Sequence, residues 1–243
     1  YWNEIQKRLK LSIPTVFDAD SLECEILGGM TSREADGEEH VHGRWLLIKG
    51  KKDGHDAALG IVNSGQHGFD FRSGEVRLSV LRSAAYCHEQ GFKLQSTSTR
   101  KFMDLGTHDV RILITAGKYE DIRQMLPSLA DWLNSPPYAL AHLPTGKLKD
   151  KKISTSSPTN SKDSLEFLST LPSNVRLLAC KQSLDGKALI IRLQESIGDP
   201  TLFSVKIHSI NSPIELSLKP LEIKTIRIEK TGTWKETDLI DKL

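Results

Sequence analysis

Short runs of alternating apolar and polar residues, parted by turn-forming residues at intervals of roughly ten, constrain this chain more than any other feature. "SLECEILGG" alternates and ends on the Gly28-Gly29 turn, and "GRWLLIKGKK" is apolar from Trp45 to Ile48 before a charged turn at Gly50. "DAALGIVN" is a buried run. "GEVRLSVLRS" sets Val76, Leu78 and Val80 on one face against Arg77 and Ser79, and "HDVRILITAG" repeats the device with Val110, Ile112 and Ile114. Near the end come "NVRLLACKQ", "KALIIRLQES", "LFSVKIHSI", "PIELSLKPLE" and "IKTIRIEK". A period of two with glycine turns is the pattern of antiparallel strands with one face packed and one face wet. The expected fold is mainly β with little helix: a large antiparallel β-sandwich, or supersandwich, followed by a smaller C-terminal one.

One segment has a different period. In "YEDIRQMLPSLADWLNSPP", Ile122, Leu126, Leu129 and Leu133 recur at helical spacing. Pro127 should kink that helix or start a second short one, and Pro136-Pro137 stops it. A helix packed on a sheet is the expected role. The stretch "LPTGKLKDKKISTSSPTNSKDS" is rich in Ser, Thr, Lys and Pro, and reads as an exposed loop or linker over 143–164. It divides a large β unit, 1–142, from a smaller one, 165–243. Leu9, Leu11 and Ile13 already alternate with Lys10 and Ser12 at the start of the chain. A first strand with nothing before it leads us to expect a large unit cut from a longer protein.

The charges exclude some function classes. Against 31 acidic residues stand 33 basic ones, a net +2 with no basic stripe, so no nucleic-acid partner is expected. No apolar run approaches the roughly 18 residues that span a bilayer, so no membrane partner is expected either. Cys24, Cys87 and Cys180 are odd in number and lack metal-knuckle spacing; they read as buried free thiols. That is compatible with a reducing compartment, and the cytoplasm is the expected location.

Candidate chemistry is sparse. His40 and His42 in "EEHVH" would share one strand face near Glu38 and Glu39, a conceivable metal pair without a third ligand. A solvated polar loop is the plainer reading. In "MDLGTHD", Asp104 or Asp109 could orient His108 as an acid or base. Against that, an Asp closing a turn and a His bonded to backbone suffice. His67, Asp70 and Arg82 in "NSGQHGFDFRSGEVRLSVLRS" suggest a cluster, yet alternation buries the valines and leucine between them. Asp70 and Arg82 are then expected to brace loops through charged hydrogen bonds. No nucleophile elbow, phosphate loop or dinucleotide fingerprint is present.

Taken in order, several stretches resemble the C-terminal β region of glycoside hydrolase family 38, the retaining α-mannosidases. "YWNEIQKRLKLSIPTVF" is similar to the family's W-x-E-x-x-x-x-L-K strand. Gly29, Arg33, Gly37, Glu38 and Trp45 occupy the places of its G-x-x-x-R…G-E…W segment. Asn63, His67, Gly68, Asp70, Leu78, Ser79, Leu81 and Arg82 occupy places in the family's L-N-x-x-x-(Y/H)-G-x-D…L-x-L-S-L-L-R-(S/A). Asp104, Gly106, His108 and Gly117 match D-x-G-x-H…G, while Thr115-Ala116 stands where the family has P-H. "LNSPPYAL", "IIRLQES" and "LKPLEIKTIRI" resemble later pieces, and "AAYCHEQGFKLQSTSTRK" replaces a proline-rich continuation.

The resemblance implies a non-catalytic role. The family's zinc ligands and its aspartate nucleophile belong to an N-terminal barrel, so neither metal nor nucleophile is expected here; zinc is expected in the catalytic domain of the parent. The implied partners are that catalytic domain and mannose-containing glycans, with a homo-oligomer left open. Asp70, Arg82, Asp104 and His108 are the residues it implies at the border of the sugar pocket. The rival reading is a free-standing carbohydrate-binding module, which would stack sugars on exposed aromatics. Aromatics are only 6% of the chain, and Trp2, Trp45, Trp132 and Trp234 lie far apart in sequence, which disfavours the rival.

Overall fold

The run Trp45–Ile48 is buried on both sides, and this sets the architecture of the first half of the molecule. A computed structural model describes residues 1–17, 19, 21–85, 101–138, 167–207 and 213–240. The strands of the first unit are β1 (Arg8–Pro14), β2 (Ser21–Ile26), β3 (Gly29–Glu34), β4 (His40–Val41), β5 (Trp45–Lys52), β6 (His55–Asn63), β7 (Gly68–Arg72), β8 (Glu75–Arg82) and β9 (Ile112–Gly117). They form two antiparallel sheets, one of five strands in the order β3-β2-β5-β6-β9 and one of four in the order β1-β8-β7-β4.

Leu22, Cys24, Leu46, Ile48 and Ile61 from the larger sheet meet Phe69, Phe71, Val76 and Leu78 from the smaller. The other face of the larger sheet, with Trp45, Leu47, Ala58 and Val62, is covered by α1 (Tyr119–Asn134) through Ile122, Leu126, Ala130 and Leu133. The first unit is therefore a sandwich with a helix on its back. The antiparallel β-sandwich expectation holds.

α1 runs unbroken through Pro127. Pro127 therefore does not start a second helix: it is buried, and packing outweighs the one helical hydrogen bond it forfeits. Gly60 lets the helix sit close, since a Cβ there would lie 2.7 Å from Leu126 Cδ2 and 2.9 Å from Ile122 Cγ2.

The second unit contains β10 (Val175–Gln182), β11 (Ala188–Glu195), β12 (Thr201–Val205), β13 (Ile214–Leu218), β14 (Ile223–Glu229) and β15 (Trp234–Thr237). The sheet β10-β11-β14-β15 faces the hairpin β12-β13, with Ile191, Leu193, Val205, Leu216 and Ile226 between them. Glu195 is fully buried there, yet it accepts hydrogen bonds from Ile197 N, Gly198 N, Leu221 N and Asn174 Nδ2 at 2.7–3.1 Å. The expected linker over 143–164 lies outside the described residues, as does Cys87.

Several details differ from the alternation pattern. Val80 is not in the core: it is the surplus residue of a bulge, because Leu9 opposes Leu81 and Lys10 opposes Ser79. Leu9 and Leu11 are each 40% exposed, since β1 is an edge strand and only Ile13 reaches the core. Ile114 is also exposed on the edge strand β9, and Val110 precedes that strand. Cys24 is a buried free thiol, but Cys180 is exposed.

Candidate functional site

α1 stands between the two β units and binds both by charge. Arg44, just before β5, donates from Nη2 to Glu25 Oε1 at 2.6 Å, from Nε to Glu25 Oε2 at 2.9 Å, and from its backbone N to the same Oε2 at 2.7 Å. Its Nη1 reaches Asp131 Oδ1 on the helix at 2.6 Å. Arg176 on β10 donates to both oxygens of Asp131, at 2.6 and 3.0 Å, and lies 3.5 Å from Glu25. Burial works against charge at both Arg44 and Asp131. The opposite charges outweigh it, raising the Arg44 guanidinium and holding the Asp131 carboxyl below the usual range. A second bridge joins Arg123 of α1 to Asp199 at 2.8 Å and to the Ile197 carbonyl.

Beside this seam opens a cleft of about 810 Å³. One wall is the β2–β3 turn, Ile26 to Gly29, with Arg33 of β3. The segment from Val41 to Arg44 and His67 form the second, and Arg176, Leu178, Gln194, Ser196 and Ile223 of the second unit the third. Leu178 is the surplus residue of a bulge in β10, between the pairs Leu177–Leu193 and Ala179–Arg192. Local hydrogen bonds fix the second wall. His42 N donates to His67 O, Gly43 N to Glu25 O, and both Asn63 Nδ2 and His67 Nδ1 bond the Gly43 carbonyl. Gly43 must be glycine for this approach, as a Cβ would sit 2.7 Å from Glu25 Oε2.

His42 is the unusual group. It is 3% exposed, packs edge-on to Phe69 at 5.2 Å between centroids, and neither ring nitrogen makes a well-formed hydrogen bond. Burial first, and then the neighbouring His67, push its pKa down to about 4, against opposing pulls from Glu25 and the nearby Trp45 backbone. The ring is neutral at neutral pH. Arg33 Nε is likewise buried and unpartnered.

Of the candidate residues singled out in the sequence, His42 and His67 line this cleft, and the others lie elsewhere. Asp70 is 2% exposed and bonds Arg77 Nε at 2.6 Å and Lys10 Nζ. It braces β1, β7 and β8, and its partner is not Arg82. Arg82, Asp104 and His108 do come together at the surface. The backbone N of Arg82 donates to Asp104 Oδ2 at 3.1 Å, and His108 Nε2 lies 2.9 Å from the Asp104 carbonyl. Asp104 has φ +54°, a turn conformation, so the Asp closes a turn and the His is tied to backbone. Asp109 adds no described contact to them.

His40 and His42 do not form a metal pair. His40 Nε2 is 2.9 Å from Asp36, while His42 lies against Phe69 in the interior. Among the described residues no group of three or more His, Cys, Asp or Glu is gathered in a way that could hold a metal ion. The donor set that zinc needs is not assembled by the described residues. The cleft itself was not legible in the sequence, because its third wall comes from residues more than 100 positions beyond those of the other two.

Residues 1–90 match the family model for the glycosyl hydrolases family 38 C-terminal domain. No curated protein matches the chain by sequence. An α-mannosidase from Enterococcus faecalis V583 shares the fold at TM-score 0.64 and 14% identity, over 91% of this chain and 26% of its own. A family 38 glycosyl hydrolase protein from Enterococcus faecalis does so at TM-score 0.65, again with 14% identity and the same coverage. The chain thus spans about a quarter of the length of those two structures. Over residues 1–90 the chain is similar in sequence to the glycosyl hydrolases family 38 C-terminal domain, and over 91% of its length it shares the fold of a part of those two structures.

Proposed function

We propose that the chain is the non-catalytic C-terminal β region of a zinc-dependent retaining α-mannosidase, and that it braces the parent's catalytic domain. The observation that carries this reading is the family match over residues 1–90. Retaining glycosidases need two carboxyl groups about 5 Å apart on either side of the scissile bond, one of them a nucleophile. In this chain the buried carboxylates of Asp70, Glu25 and Glu195 are already occupied by Lys10 and Arg77, by Arg44, and by backbone amides. Their role is structural. Zinc and the nucleophile would come from the rest of the parent, whose catalytic domain and mannose-containing glycans are the partners this reading implies. Arg82, Asp104 and His108 form the exposed group best suited to border the sugar pocket.

The test uses an aryl α-mannoside with and without added zinc. The isolated chain should show no turnover, while the longer parent protein should show zinc-dependent turnover with retention of configuration. Zinc-dependent hydrolysis by the isolated chain, or a parent without α-mannosidase activity, would overturn the reading.

A further inference from the structure

A bracing role leaves the inner wall of the cleft unexplained. An imidazole 3% exposed, with only the Trp45 backbone nearby and no well-formed hydrogen bond at either nitrogen, is a costly arrangement unless something supplies a partner. Arg33 Nε on the neighbouring wall has the same deficit. The charges are also unequal. Arg44 and Arg176 are matched by Glu25 and Asp131, whereas Arg33 has no carboxylate partner among the described residues; its charged side chain lies beside the Cys24 thiol. One positive charge is left over. Facing it are the exposed apolar side chains of Leu27, Val41, Leu178 and Ile223.

Two N–H donors, an unmatched cation and an apolar rim are complementary to one kind of molecule. The geometry points to a binding site, between the two β units, for a small carboxylic acid carried on an apolar body. The carboxylate takes hydrogen bonds from Arg33 and His42, and the apolar body covers Leu27, Val41 and Leu178. The volume, about 810 Å³, falls in the range of small-molecule pockets. Every residue named for the site lies in this chain, so its test stands apart from that of the mannosidase reading.

The test is calorimetric titration of this chain with octanoate, with octanol as the uncharged match, and with a blocked acidic-apolar tripeptide. Octanoate should saturate a single site, with octanol about tenfold weaker or more, the usual gain from a charge-assisted pair. Arg33→Gln should weaken octanoate about tenfold and leave octanol unchanged. His42→Leu should weaken octanoate with the fold retained by circular dichroism. Equal binding of octanol and octanoate, no octanoate binding at millimolar concentration, or binding of the tripeptide alone would each overturn the proposal. If a variant does not fold, the octanoate-to-octanol ratio on the unaltered chain decides by itself.

Discussion

Arg44 Nη1 and Arg176 Nη2 both donate to a single atom, Asp131 Oδ1, each at 2.6 Å. One helix oxygen thus ties β5 of the first unit to β10 of the second. Asp131→Asn keeps the shape and removes the charge. Charge-assisted bonds of this kind contribute about 1.5–3 kcal/mol, but the carboxylate is 43% exposed and solvent screens part of that. The expected loss is about 1–2 kcal/mol in urea unfolding. An unchanged midpoint would show that water replaces Asp131 at no cost.

Asn63 is fully buried at the end of β6, and its side chain does three things at once. Its Oδ1 accepts from Gly65 N at 2.9 Å and Gln66 N at 2.8 Å, and its Nδ2 donates to the Gly43 carbonyl at 3.1 Å. Asn63→Ala leaves buried partners without bonds and should cost about 2–3 kcal/mol. Faster amide exchange at Gly65 and Gln66 than in the parent is the accompanying signature.

At Gly60 the expected effect is overpacking. Gly60→Ala drives a methyl into Leu126 and Ile122 and should destabilise by about 1–3 kcal/mol. Leu126→Ala alone should cost about 2–5 kcal/mol through the cavity it leaves. The double variant should be more stable than the two losses added together, because the new methyl takes space the leucine vacates. Strict additivity in a thermal or urea cycle would refute this contact.

The architecture was legible where period and burial agree. β2, β5 and β6 were readable because sheet and helix bury what the pattern says is apolar, and α1 because Ile122, Leu126 and Leu133 keep helical spacing. Edges were not. Leu9, Leu11 and Ile114 have core-type spacing but occupy outer strands, and position within a sheet leaves no mark on local pattern. The turn at Asp104 and His108 was readable from Gly106 and the short polar side chains around it. The cleft was not, since Glu25, Arg44, Asp131 and Arg176 meet only through the tertiary fold.

His42 makes stability depend on pH. Its folded pKa of about 4 lies below the ordinary 6.5. Above that ordinary value the ring is neutral in both states, and the contribution is fully present. As pH falls from 6.5 towards 4 the unfolded chain takes up a proton that the folded chain resists, so stability is lost across that window, on the order of 3 kcal/mol in all. Urea midpoints at several pH values should show this slope, and His42→Leu should flatten it. An identical slope in the variant would assign the effect to other groups.

The bulge at Val80 gives β8 an unusual tolerance. Removing one residue from a strand normally turns every later side chain to the wrong face. Here the pairing already skips Val80, with Ser79 and Leu81 meeting consecutive residues of β1. Deleting it would leave Leu81 opposite Leu9 and keep Ser83, which is buried and bonded to Lys7 and Glu4, on its present side. Residue 80 is a spare beat in the rhythm of the strand, the place where the chain can be shortened by one and still read in phase.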